Sequence, residues 1–134
     1  MSINWPKPNH NHASEYQISS WPFVTSSNPN EVSLVPIKIA FPYVTRWVQI
    51  FNTDQTDPLR VGFTQNGVNS VSDRNYLVLS GNQSTERLEL KCTELWFRQG
   101  GAAPSSFSLV AGLTNANGSE FPAITGSNGF GGVG

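Results

Sequence analysis

Histidine, cysteine and paired carboxylates are the groups through which a short chain most readily does chemistry, and this sequence holds few of them. Its two histidines, His10 and His12, sit together near the N-terminus. At i, i+2 they offer two imidazoles to a metal, but with no thiolate or carboxylate beside them they fall short of a closed zinc site. A solvated arm is expected there. Asp54 and Asp57, just before Pro58, have the makings of the carboxylate pair that a glycosidase sets across a sugar cleft. Aspartates in turns usually bond their own backbone instead, and a turn is expected. Ser108 and the other serines have no histidine on the body of the chain to act as a base, which argues against a serine triad. Cys92 stands at a strand end without an evident base, and reads as a small buried hydrophobe rather than a thiolate nucleophile. No GxGxxG or Walker loop occurs, and the glycines between Gly126 and Gly132 follow no strand-to-helix pattern. No enzymatic activity, metal or cofactor is expected.

The elements that would carry these residues are strands. Nine prolines and twelve glycines are scattered so that few ten-residue windows escape both, which leaves no room for long helices. Short β-branched and aromatic runs bounded by turn residues recur instead. In 59–64, Leu59, Val61 and Phe63 share one face, and the run ends at Asn66-Gly67, a strong turn signal because both residues tolerate φ > 0. In 87–91, Leu88 and Leu90 face inward against Arg87, Glu89 and Lys91. Cys92 keeps that phase, but Leu95 and Phe97 fall on the opposite parity, so a bulge or corner is expected near Thr93-Glu94. Phe107, Leu109, Ala111 and Leu113 form a last alternating strand. With 16–24, 32–40, 44–52 and 75–80, eight strands result. The run 44–52 is apolar on both faces (Val44, Val48 and Ile50 against Trp47 and Phe51), which predicts a central strand with a second contact surface. Pro22 and Pro36 demote their strands to edges or bulged positions. Eight short antiparallel strands predict an all-β fold, a single jelly-roll sandwich.

Composition narrows the function. The chain has 134 residues, enough for one domain, and only 13% of them are charged. Eight Lys and Arg against nine Asp and Glu give a net charge of −1, without the clustered cations that displace counterions from phosphates. Nucleic-acid binding is not expected. The single cysteine rules out an internal disulfide, which favours a reducing compartment. The N-terminus lacks the apolar core of a signal peptide, and no apolar run approaches bilayer length, so a soluble, unsecreted chain without membrane insertion is expected. The sequons at Asn82 and Asn117 then read as chance matches.

The ends differ from the middle. Residues 1–14 read as an arm in which only Trp5 wants a pocket, and 115–134 as a Gly/Asn-rich tail carrying Phe121, Ile124, Phe130 and Val133. The expected organisation is an N-terminal arm (1–14), a jelly-roll domain (15–114) and a C-terminal tail (115–134), both ends flexible alone and ordered on a partner. Trp5 and Phe130 are the candidate assembly anchors. The remaining aromatics, Tyr16, Trp21, Tyr43, Trp47, Tyr76 and Trp96, fit core and interface packing. The alternative is a stacking platform for sugars, as in β-sandwich carbohydrate-binding or lectin-like modules.

Four stretches taken together carry a family resemblance: Phe41-Pro42-Tyr43-Val44-Thr45-Arg46-Trp47; Leu59 to Thr64 followed by Asn66-Gly67-Val68; Phe107 to Thr114; and Phe121-Pro122 through Gly126-Ser127-Asn128-Gly129-Phe130. From about Ile37 to Gly134 the chain resembles the single-jelly-roll penton (vertex) capsid proteins of large icosahedral double-stranded DNA viruses. The resemblance implies a structural protein of the virion, made in the host cytoplasm. It implies a homopentamer at each five-fold vertex, seated among neighbouring major and minor capsid proteins, with no catalytic residues. Such a ring needs two different complementary flanks on each subunit.

Overall fold

The computed structural model describes residues 20–71, 74–117 and 132–133. It is mostly β, with strands β1 (Trp21–Ser26), β2 (Ile37–Ala40), β3 (Tyr43–Asn52), β4 (Leu59–Gly62), β5 (Tyr76–Leu79), β6 (Glu94–Gln99) and β7 (Phe107–Asn117), and one short helix, α1 (Gln65–Asn69). The strands form two antiparallel sheets, ordered β1-β7-β3 and β2-β6-β4-β5. Both proline-marked strands lie at sheet edges, where a missing donor is tolerated. Pro22 is in β1 itself; Pro36 directly precedes β2.

Seven strands stand where eight were expected, and the missing one is instructive. The segment 83–92 runs beside the free edge of β3 and bonds to it at Asn52–Gln83, Ile50–Thr85, Val48–Leu88 and Thr45–Cys92. Eight positions along β3 (45–52) are matched by ten along this segment (83–92), so the register drifts twice and the ladder breaks into isolated bridges. β3 is therefore central, with β7 on one side and 83–92 on the other. The parity slip near Thr93 is a corner: 83–92 borders the first sheet, whereas β6 belongs to the second.

The apolar faces of the two sheets meet. Val48, Ile50, Leu109 and Ala111 from the first sheet and Leu59, Leu95 and Phe97 from the second are all at most 1% exposed. The rings of Phe97 and Phe107 lie parallel across the interface with centroids 4.0 Å apart. At the end of β3 the contact turns polar. Asn52, also buried, shares its amide hydrogens among the carbonyls of Asp57, Leu79 and Ser80 at 2.8–3.1 Å. Its Oδ1 accepts from the Asp54 N–H at 3.0 Å and the Ser105 hydroxyl at 3.2 Å. One side chain thus ties together loops from both sheets, and every polar atom it buries is satisfied.

Two further departures concern turns and ends. The expected Asn66-Gly67 turn is the interior of α1, because Thr64 caps the helix by accepting the Gly67 N–H at 2.9 Å. The Thr64 hydroxyl donates in turn to the Val133 carbonyl at 3.0 Å. A Cβ on Gly67 would fall on that carbonyl oxygen, so only glycine lets the chain approach so closely. Val133 is accordingly buried on the body, and β7 runs to Asn117, so the body extends beyond the expected 15–114 boundary at both places.

Candidate functional site

The residues singled out for chemistry are dispersed. Asp54 Oδ1 accepts the N–H groups of Thr56 at 2.9 Å and Asp57 at 2.8 Å, the backbone-bonding turn expected of it. Those N–H groups, Asp57's foremost, hold its carboxyl below the usual aspartate range, so it stays ionised and is no proton donor at neutral pH. Cys92 is buried, takes the Thr45 hydroxyl at 3.3 Å, and gives its own N–H to that hydroxyl at 2.9 Å. Burial pushes its thiol up to about 11, the opposite of an activated nucleophile. Ser108 meets only the Ser26 hydroxyl across the strands. No three His, Cys, Asp or Glu side chains gather among the described residues. Trp5, His10, His12, Tyr16 and Phe130 lie outside the described residues.

The indoles do not form one row. Trp21 stands opposite Leu113 and shares its face, while Trp47 stands opposite Gly112 on the other face of the same sheet. Trp96 belongs to the second sheet. Their N–H groups are engaged locally where the partners are defined: Trp21 donates to Asn115 Oδ1 at 2.8 Å and Trp96 to Glu94 Oε2 at 2.6 Å. Trp47 packs closely on Gly112, where a Cβ would strike its ring nitrogen, and the Arg87 guanidinium sits 5.9 Å from its centroid.

Two surfaces are built for binding. The first is an apolar cleft of about 420 Å³ between the sheets, floored by Val48, Ile50, Val61 and Leu95 and flanked by Leu88 and Leu90 from 83–92. It exists because the broken ladder leaves that flank open. Arg74, Leu77 and Gly132 are its exposed lining residues, and its lining among the described residues holds no carboxylate, thiol or imidazole. Its walls fit an apolar side chain or ligand. The second is the outer face of the first sheet. Strand register sets Pro22, Gly112 and Trp47 in one row, Val24, Val110 and Gln49 in the next, and Ser26, Ser108 and Phe51 in a third. No charged residue stands in the three rows, and Val24 is 69% exposed. The composition of 44–52 forecast the second contact surface of β3, but its extent depends on strand pairing.

The chain matches no protein-family model, no curated protein and no solved structure.

Proposed function

We propose that this chain is a structural capsid protein, the penton at the five-fold vertices of an icosahedral virion, built on an eight-stranded jelly roll and without enzymatic activity. The fold half of the proposal draws on strand order. If 83–92 counts as a strand, the sheets become β1-β7-β3-(83–92) and β2-β6-β4-β5, four strands each. The chain then passes between the sheets at β1–β2, β2–β3, β3–β4, β5 to 83–92, at Thr93 and at β6–β7, the alternation of two interlocked Greek keys.

The observation that carries the assembly role is the three uncharged rows that β1, β7 and β3 present on the outer face of the first sheet, bordered by Arg87 over Trp47. A closed ring must bury contact surface, and each unpaired ion buried there costs several kcal/mol. Three adjoining rows with no charge avoid that cost, and Val24 and Trp47 supply apolar area to them. The partners are further copies of the chain and neighbouring capsid proteins. In a carbohydrate-binding module the indoles would share a surface, and here they lie on three.

Native mass spectrometry tests the proposal: the isolated protein should appear at five times its 14.6 kDa subunit mass. Val24→Glu should abolish the pentamer while changing the subunit's own stability by no more than about 0.5 kcal/mol, as for most exposed sites. A monomer that binds a glycan array through Trp47 would favour the lectin reading instead.

A further inference from the structure

The outer face of the second sheet differs sharply from that of the first. Arg60 and Arg98 stand directly opposite each other on β4 and β6. Like charges so placed repel and weaken the pairing of their strands. Both are nevertheless held in position. The Arg60 guanidinium lies 4.3 Å over the Tyr76 ring and donates to the Val68 carbonyl at 3.4 Å; Arg98 Nε donates to the Leu34 carbonyl at 3.2 Å. The Arg87–Glu89 ion pair is elsewhere. Glu94, four residues along β6 from Arg98, is occupied by the Trp96 N–H. Arg98 is easier to deprotonate than usual, first through burial and then through the Arg60 charge, which agrees with their closeness.

We propose that the Arg60–Arg98 pair is a docking site for the carboxylates of a neighbouring protein chain. Two guanidiniums on paired strands, held in place with no counter-ion among the described residues, leave N–H donors for carboxylates, the anions that Arg binds best. Val78 continues the row beyond Arg60 and is 49% exposed, so the site offers apolar contact beside its charge. Arg and aromatics beside exposed apolar area make up the composition of protein interfaces. Nucleic acid fits less well, because its affinity accumulates over many phosphates, and Lys38 is the only other cation placed along this face by strand pairing. A free small anion finds a flat sheet without walls.

The inference deepens the assembly reading by naming the chemistry of one neighbour, but its test uses the isolated full-length chain. Thermal unfolding is followed with and without a hexaglutamate peptide, sodium chloride keeping ionic strength constant. At a peptide concentration ten times its dissociation constant, the wild-type midpoint should rise by about 4 °C. Arg98→Gln and Arg60→Gln should each remove most of that rise, whereas Arg87→Gln should keep it. Without peptide, Arg98→Gln should not lower the midpoint, since relief of repulsion offsets the lost bond to Leu34. An equal rise in wild type and both pair variants, or none in wild type, would overturn the proposal. So would a peptide-free midpoint several degrees lower in Arg98→Gln, which would make the pair structural. A larger rise with inorganic phosphate or an oligothymidylate than with hexaglutamate would overturn the carboxylate assignment. Peptide binding by a chain that never forms pentamers would retain this site and reject the vertex role.

Discussion

The two sheets are joined in different ways at the end of β3 and along its flank. At the end, Asn52 binds carbonyls from two separate loops while its own carbonyl takes the Asp54 N–H and the Ser105 hydroxyl, so the junction is polar, directional and saturated. Along the flank, 83–92 bonds intermittently, and Leu88 and Leu90 lean over an apolar cleft of about 420 Å³. A saturated polar junction accepts one geometry, because any displacement leaves buried groups unpaired. Apolar contact is non-directional and tolerates adjustment. The molecule therefore has one end that sets how the sheets meet and one side able to accommodate a guest.

Removing the polar junction should have the largest effect. Asn52→Ala strands the buried Leu79 carbonyl and removes the bonds to the Asp57 and Ser80 carbonyls and the Ser105 hydroxyl, and should cost at least about 3 kcal/mol in urea unfolding. If the loss is under 1 kcal/mol, water replaces the amide and the junction does not set the geometry. Leu109→Ala, at a buried position between the sheets and away from the cleft, should follow at about 3 kcal/mol, since it opens a cavity in a closed core.

How much of this was legible beforehand depends on whether the cause is local. The alternation of Leu59 with Val61, and of Phe107, Leu109, Ala111 and Leu113, is visible because a half-buried strand imposes period two on its own residues. The corner at Thr93 was legible for the same reason, as a break in parity between Cys92 and Leu95. The α1 helix was misread, although Thr64 before Gln65 is an N-cap signal, because Asn66-Gly67 speaks more loudly for a turn. The role of Asn52 was not legible locally, since all its partners but Asp54 lie 5 to 53 residues away. The opposition of Arg60 and Arg98 likewise exists only once β4 pairs with β6.

Cys92 probes the seam between the two regions, because it closes the 83–92 segment onto Thr45. Its thiol is neutral when folded up to about pH 11 and near 9 when unfolded. The folded value is the higher one. The neutral thiol's contribution is therefore complete below pH 9 and is lost as pH rises towards 11, where the unfolded chain gains the free energy of ionisation. Two units correspond to about 2–3 kcal/mol. Wild type should lose that much more stability than Cys92→Ala between pH 8.5 and 11. Parallel pH profiles would mean that the thiol ionises without unfolding, and that the seam is already open to water.

Leu88→Ala should have the smallest effect and most directly measures the difference between the regions. Leu88 is only half-buried and lines a cleft that already exists, so trimming it enlarges an open space instead of creating a sealed void. The cavity penalty that burdens Leu109→Ala then largely vanishes, leaving transfer of part of one side chain, about 1 kcal/mol. The backbone bonds between Leu88 and Val48, at 2.8 and 2.9 Å, do not depend on the side chain and should persist in hydrogen exchange. A ratio near three between the two leucine variants is expected from urea midpoints at constant m-value. Equal losses would mean that the cleft closes in solution and that the flank is as tightly packed as the core.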